Sequence, residues 1–221
     1  MSTRKTPHPR QLLVEGKEDQ RVIPEFMERF IPWGEAKERD KWPAEIIEFD
    51  GIEKLLKDGV IQAAFNSPGL QSLGVLVDAD DAPLARWSTI RARAIEKIPA
   101  IPAALPPEGL VIQSDEGVRF GVWIMPNCSS KGMLETFLAL FIDQPNGPLW
   151  CCVDAHCTDA KLTHQAPYRD AHADKAKIHA WLALQDPPGQ QLHSAIVQNL
   201  LRPNSPQAEP FVKWFRSLYR V

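Results

Sequence analysis

Three acidic residues follow a short apolar run near the middle of the chain. The run, residues 73–77, predicts a buried strand, and Asp78, Asp80 and Asp81 come directly after it. Residues two apart in an extended segment point the same way, so Asp78 and Asp80 are predicted to face one point. Neighbouring carboxylates repel one another unless a cation lies between them. Their oxygen atoms suit Mg²⁺ or Mn²⁺, and such ions support cleavage or transfer of phosphodiester bonds.

The same acids also have a purely structural interpretation. An acid that follows a strand often caps the next helix, and both Asp80 and Asp81 stand just before Ala82-Pro83, at the start of a predicted helix. We assign helix capping to Asp81 and metal binding to Asp78 and Asp80.

Another acid ends an earlier strand. The apolar run at residues 11–14 is followed by Glu15-Gly16 and then by a helical pattern. Strands alternate with helices through the first half of the chain, which predicts an α/β fold with a mainly parallel sheet flanked by helices. Ligands of such sheets bind at the carboxyl ends of the strands. Glu15, Asp78 and Asp80 are therefore expected to meet at one edge.

The remaining pattern completes this outline. Further strands are predicted at 45–49, 110–113 and 118–125, the last two as a hairpin that turns at 115–117. Helices are predicted at 19–30, 52–65, 84–98, 133–142, 149–158, 172–185, 191–201 and 207–219. The sequence thus predicts a flexible tail over residues 1–8 and a single domain over 9–221. Its core spans about 9–145, and a helix-rich C-terminal extension spans about 146–221.

Composition narrows the classes of function. The chain of 221 residues has a formal net charge of −3, so it lacks the overall basic character that gives strong non-specific nucleic-acid binding. We find no apolar run of the roughly 18–20 residues that a membrane helix needs, and no signal-peptide pattern at the N-terminus. Four cysteines do not form a disulfide framework for this length. We therefore expect a cytoplasmic protein with no membrane contact.

A local basic and aromatic patch lies at the C-terminus. Lys213, Arg216 and Arg220 stand among Trp214, Phe215 and Tyr219. We interpret this segment as an amphipathic last helix with its aromatic rings packed inward, rather than as a surface for nucleic acid.

Four segments together resemble a known family. They are 14–19 (VEGKED), 77–80 (VDAD), 132–138 (GMLETFL) and 174–183 (DKAKIHAWLA). In this order they resemble the Toprim domain of topoisomerases, primases and the OLD-family nucleases. The closest resemblance is to small, stand-alone OLD-like Toprim proteins of bacteria, and it covers roughly residues 9–219. It implies a Toprim-like sheet and a metal-dependent nuclease that acts on DNA or RNA.

The resemblance also implies roles for individual acids. Glu15 would act as a general acid or base or bind the metal, and Asp78 with Asp80 would hold a divalent ion, Mg²⁺ or Mn²⁺. Asp19 and Glu135 would form a second metal site. Glu135 has a plainer interpretation as an acid favoured near a helix N-terminus by the helix dipole.

The same resemblance implies a catalytic lysine. Lys175 or Lys177 would neutralise phosphate charge in the transition state, and the sequence does not choose between them. Lys177 lies four residues before Trp181 on one helical face, so it could also cover a core aromatic ring.

The chain departs from the family in two respects. OLD-family proteins couple the Toprim domain to an ATPase, but the sequence has no GxxxxGK[ST] phosphate loop, so any ATPase would be a separate partner. Tyr168 and Tyr219 have no recognisable nucleophile setting, which disfavours topoisomerase chemistry. Two alternatives to a nuclease stay open: a non-catalytic module that binds metal, nucleotide or a partner protein, and a phosphatase or nucleotidyl-transfer enzyme with a small substrate.

Overall fold

The computed structural model of the protein describes residues 6–144 and 147–221. Most of the predicted flexible tail, residues 1–5, lies outside these ranges. His8 is buried, and its Nδ1 lies 2.7 Å from the carbonyl oxygen of Arg10 at the start of the first strand. The described fold therefore already includes His8.

A five-stranded mixed sheet forms the centre of the molecule. Its order is β2-β1-β3-β5-β4, and all neighbouring pairs are parallel except β4 with β5. The strands are β1 (Arg10–Val14), β2 (Glu45–Glu48), β3 (Ser72–Asp78), β4 (Leu110–Gln113) and β5 (Arg119–Met125). The predicted α/β class with a mainly parallel sheet and flanking helices is confirmed.

Nine α-helices of the described ranges cover the two faces of the sheet. They are α1 (Lys17–Met27), α2 (Ile52–Leu55), α3 (Val60–Phe65), α4 (Pro83–Ala94), α5 (Leu134–Ala139), α6 (Pro148–Leu162), α7 (Ala173–Ala183), α8 (Leu192–Val197) and α9 (Glu209–Tyr219). Short 3₁₀ segments occur at Ala36–Lys41, Asp170–His172 and Pro206–Ala208. The helix-rich character of the C-terminal half agrees with the sequence pattern.

The two faces of the sheet have separate hydrophobic cores. Side chains alternate between them along a strand, so Leu12 and Val14 enter one core while Leu13 enters the other. The first core packs α1 and the helices after β5 against the sheet, and the second packs α2, α3 and α4. The central strand β3 serves both cores and is buried from Ser72 to Val77. This explains why it appears in the sequence as a continuous apolar run.

The last helix closes the first core. The side chains of Trp214, Phe215 and Tyr219 are at most 2% exposed, and the Tyr219 hydroxyl donates a 2.8 Å hydrogen bond to the carbonyl oxygen of Gln11. The predicted inward packing of this amphipathic helix is confirmed. Its aromatic rings are therefore not available to stack on nucleic-acid bases.

One predicted helix is divided in two. The pattern at 52–65 suggested a single helix, but Gly59 has a φ of 86° and separates α2 from α3. A helix needs negative φ at every interior position, so one helix cannot run through Gly59, which is the N-cap residue of α3. The prediction of one continuous helix was wrong at this point.

The capping role assigned to Asp81 is also wrong. Helix α4 begins at Pro83 with Ala82 as its N-cap residue, and no side chain caps it by a hydrogen bond. Proline at the first helical position removes one of the N–H groups that a cap would satisfy. Asp81 is exposed.

No helix among the described residues has both the length and the apolar character needed to cross a membrane.

Candidate metal centre

The acidic residues lie where the sheet changes direction. From β1 the chain adds β2 on one side and later β3 on the other, so β1 and β3 flank a topological switch point. Loops at the carboxyl ends of two such strands part to opposite faces, which leaves a crevice where ligands of α/β proteins bind. Glu15 directly follows β1, and Asp78 is the last residue of β3.

A direct hydrogen bond joins these two strand ends. The backbone N–H of Asp78 donates to Oε1 of Glu15 over 2.7 Å. The Asp78 carboxylate in turn accepts a 2.8 Å bond on Oδ1 from the N–H of Leu134, at the first residue of α5. β1, β3 and α5 are thereby held together through the two acids.

Asp19 approaches from the first turn of α1. Its Oδ2 accepts a 3.0 Å hydrogen bond from the N–H of Gly16, the N-cap residue, which fixes the carboxylate over the loop after β1. Burial raises the pKa of Asp19 to about 7 and the Gly16 N–H opposes that rise, while the charges of Glu15 and Glu135 add to it. The side chain is thus a buried acid with other acids close by.

Burial and neighbouring acids also raise the pKa of Asp78. Burial, followed by the negative charges of Asp19, Glu15 and Glu135, raises the pKa of Asp78 well above its usual value. Burial also raises the pKa of Glu15, although the Asp78 N–H and the positive charge of Arg86 oppose the rise. We call Glu15, Asp19, Asp78 and Glu135 the acidic cluster. The negative charges of Glu15 and Glu135 thus act on both Asp19 and Asp78.

One lysine contacts the acidic cluster. Lys175 Nζ lies 2.6 Å from Oε1 of Glu135, whose side chain is only 3% exposed. Burial lowers the pKa of Lys175, but the hydrogen bond and charge of Glu135 outweigh that effect and raise it overall. Lys177 points elsewhere and forms an ion pair of 2.5 Å with Asp154 of α6. Of the two candidate lysines, Lys175 is the one that the structure brings to the cluster.

The two acids of the DAD motif have different environments. The strand ends at Asp78, and Asp80 takes a left-handed conformation with a φ of 49°. Its backbone pairs with Gly132 in two hydrogen bonds of 2.9 and 2.8 Å. Its Oδ2 accepts a 2.7 Å bond from Arg86, which also donates from Nε to the Asp78 carbonyl oxygen. The prediction that the carboxylates of Asp78 and Asp80 point the same way assumed that the strand continues through Asp80. The backbone turns at Asp80, so that assumption does not hold.

The trio of possible metal ligands that the structure brings together differs from the predicted one. In residues 6–144 and 147–221, the group of three whose metal-ligand atoms all lie within 4.8 Å of one another is Glu18, Glu135 and His179. Glu15, Asp78 and Asp80 do not form such a group in that part of the chain. A metal at the strand ends would therefore be held by a pair of carboxylates with water or substrate, as is usual for Mg²⁺.

Sequence reasoning missed three residues near the site. Arg86 orders the turn after β3 by its hydrogen bond to the Asp78 carbonyl oxygen. A basic residue in the first turn of a helix is disfavoured by the helix dipole, and this unusual position of Arg86 in α4 could have indicated a specific partner. Glu18 adjoins Asp19, and His179 lies four residues after Lys175 on the same helical face. That spacing could have identified His179 once Lys175 was known to face the cluster.

The fold and the site define an α/β protein with an acidic cluster at the switch point of its sheet. The chain belongs to the family described as "Protein of unknown function (DUF3226)", whose model matches residues 9–220. Neither the curated proteins nor the solved structures gave a match.

Proposed function

We propose that this protein is a divalent-metal-dependent phosphodiesterase of the Toprim type, a nuclease that acts on DNA or RNA. The observation that carries the proposal is the pairing of Glu15 with Asp78 across the switch point, with Asp19 and Glu135 close enough to raise the pKa of Asp78.

The charge balance supports a metal ion. In the described residues, Lys175 is the one basic side chain that makes an ion pair with a member of the acidic cluster. Burial and mutual repulsion raise the pKa values of Glu15, Asp19 and Asp78 and so favour their protonated forms. A divalent cation would favour the charged forms instead, and carboxylate oxygens suit Mg²⁺ or Mn²⁺.

The arrangement also supports the Toprim resemblance. Glu15 follows the first strand, Asp78 ends the central strand, Glu135 lies in the first turn of the helix after β5, and Lys175 lies on α7. In this proposal Asp78 and Glu15 would hold a divalent ion, which would supply activation of a water, and Glu15 would be the proton acceptor if it does not bind the ion. Lys175 stabilises negative charge on the phosphoryl oxygens in the transition state.

A cavity beside the turn that follows β3 suggests where the substrate would lie. It has a volume of about 340 Å³, is open to solvent, and is lined by residues 79–82 together with Arg86, Arg169 and Thr89. Two arginines beside two acids give a phosphate group both a cationic partner and a nearby metal position.

The decisive test is cleavage by purified protein. A supercoiled plasmid and a single-stranded RNA would be incubated with Mn²⁺ or Mg²⁺, and Asp78→Asn and Glu15→Gln should each lower the rate at least about a hundredfold. Asp115→Asn is the matched control, because Asp115 is exposed and lies in the turn between β4 and β5, at the other end of the sheet. The proposal fails if the wild type cuts neither substrate, or if the two site variants cut as fast as the control.

The ion pair between Asp80 and Arg86 favours a second candidate, a module that binds metal and nucleotide without cutting. Arg86 already neutralises one acid of the DAD motif, so fewer free carboxylates are left for a catalytic metal. Mn²⁺ binding and nucleotide binding without turnover of plasmid, RNA or nucleotide would support this function over the first. Turnover of nucleotides alone would instead indicate a small-substrate enzyme.

A further inference from the structure

A second cluster of ligand groups lies on the solvent side of Glu135. Glu18 comes from the first turn of α1, Glu135 from the first turn of α5 and His179 from α7. One ligand atom from each lies within 4.8 Å of the other two. Three helices that are distant in sequence therefore converge on one point.

The chemistry of this trio differs from that of the acidic cluster. It contains an imidazole nitrogen as well as carboxylate oxygens. Imidazole suits zinc and other transition metals, whereas sites made of oxygen alone suit magnesium. Three protein ligands with the fourth position left for water or substrate are also the usual set of a catalytic zinc site.

The distances permit a shared ion. Zinc binds nitrogen and carboxylate oxygen at about 2.0–2.2 Å, so its ligand atoms lie roughly 3–4 Å from one another. Atoms within 4.8 Å need only a small side-chain movement to reach that separation. Glu18 is partly exposed and His179 is accessible to solvent, so both can make this movement.

Glu135 can bind a metal ion while it keeps its ion pair with Lys175. Lys175 Nζ contacts Oε1 of Glu135. Among the described residues, no hydrogen-bond donor contacts Oε2 of Glu135. A carboxylate with two oxygens accepts an ammonium on one and a metal on the other. The Lys175 side chain is 45% exposed and can also turn away from the site.

We propose that Glu18, Glu135 and His179 form a mixed nitrogen and oxygen site for a transition-metal ion, with Zn²⁺ as the preferred ion over Mg²⁺. Metal binding at this site does not depend on whether the protein cleaves a substrate. Only a role for the bound ion as the second metal of a phosphodiesterase rests on the proposed function. Glu135 belongs to both the acidic cluster and this trio, so a bound ion here would also lie close to the acidic cluster.

The site is tested by following the imidazole nitrogens of the protein by ¹⁵N NMR during a Zn²⁺ titration, with calorimetry for stoichiometry. We expect the ring resonances of His179 to shift at one equivalent of Zn²⁺ while those of His172 do not. His172 is the matched control, since it lies just before the same helix and bonds to Arg169 instead.

Variants separate this site from the acidic cluster. His179→Ala and Glu18→Gln change accessible residues and should each weaken Zn²⁺ binding about tenfold or more, whereas His172→Ala should not change it. Glu15→Gln with Asp78→Asn should leave the His179 shift intact even where any cleavage is lost. The inference is overturned if Zn²⁺ leaves the His179 resonances unchanged, or if His179→Ala binds Zn²⁺ as tightly as the wild type. In either case Lys175 is the only cation that Glu135 receives.

Discussion

The backbone N–H of Asp78 donates a 2.7 Å hydrogen bond to Oε1 of Glu15, and this bond joins the carboxyl ends of β1 and β3. It brings an acid from each of two neighbouring parallel strands to the crevice between them. The same bond makes Glu15 a structural acceptor as well as a candidate ligand, and the two roles can be separated by mutation.

Glu15→Gln and Glu15→Ala are predicted to differ in stability but not in metal binding. Glutamine keeps an oxygen acceptor for the Asp78 N–H, whereas alanine leaves that N–H without its partner. Loss of a buried acceptor lowers the free energy of unfolding by about 1–3 kcal/mol. Urea denaturation should therefore place Glu15→Ala below Glu15→Gln, while calorimetry with Mn²⁺ shows weakened binding in both. Equal stability of the two variants would show that the bond contributes nothing.

The metal-free protein is predicted to lose stability as the pH rises. The pKa of Asp19 is about 7 in the folded protein and near 3.8 in the unfolded chain, so the folded state holds a proton that the unfolded state has released. The contribution of Asp19 to stability is therefore fully present below about pH 4 and is lost as the pH rises toward 7. Asp78, whose pKa is also raised, acts in the same direction.

Asp19→Asn tests this dependence, because asparagine can still accept the Gly16 N–H but carries no charge. Above pH 7 and in a chelator, it should raise the free energy of unfolding by roughly 2 kcal/mol relative to the wild type. Urea denaturation at about pH 5 and pH 8 measures the effect, with Asp81→Asn as the exposed control. An unchanged pH dependence in Asp19→Asn would contradict the assignment of a buried, protonated acid.

Lys175 and Lys177 are predicted to have unequal effects on cleavage. Lys175 contacts Glu135, whereas Lys177 is occupied by Asp154 on α6. Lys175→Met should lower the rate constant for cleavage about a hundredfold at saturating Mn²⁺, because it removes a positive charge from the transition state. Lys177→Met should stay within about threefold of the wild type. Similar rates for the two variants would remove Lys175 from the mechanism.

Gly132 is predicted to be essential for the turn that carries Asp80. It has a φ of 135°, and a Cβ at this position would lie 2.7 Å from Oγ1 of Thr136. Gly51 has a φ of 116° with nothing within 4 Å of a Cβ, so Gly51→Ala is a control for backbone strain alone. Gly132→Ala should cost about 1–3 kcal/mol more than Gly51→Ala in thermal or urea unfolding, because it adds a clash to the strain. Equal losses would mean that Thr136 moves aside freely.

The sequence predicted the strands at the site well. β1, β3 and β5 are buried on both faces or nearly so, and such strands appear as apolar runs that end abruptly. Since parallel strands end at one edge, Glu15 and Asp78 could be placed together before the structure was known.

The details of the site depended on tertiary contacts that local patterns do not contain. The turn at Asp80 depends on backbone pairing with Gly132, which lies in a loop distant in sequence. The hydrophobic pattern of the local sequence therefore cannot predict it. The choice between Lys175 and Lys177 depends on how α7 packs. Lys175 meets Glu135 on α5, whereas Lys177 meets Asp154 on α6. His179 gains its acidic neighbours in the same way.

The central claim is that a divalent metal binds at the switch point between β1 and β3. The most direct measurement is a crystal structure of the protein soaked in Mn²⁺, with an anomalous difference map recorded at the manganese edge. We predict a peak within bonding distance, about 2.1–2.3 Å, of carboxylate oxygens of Glu15 and Asp78. No peak at these two acids at saturating Mn²⁺ would contradict the account, whether or not a second peak lies at Glu18, Glu135 and His179.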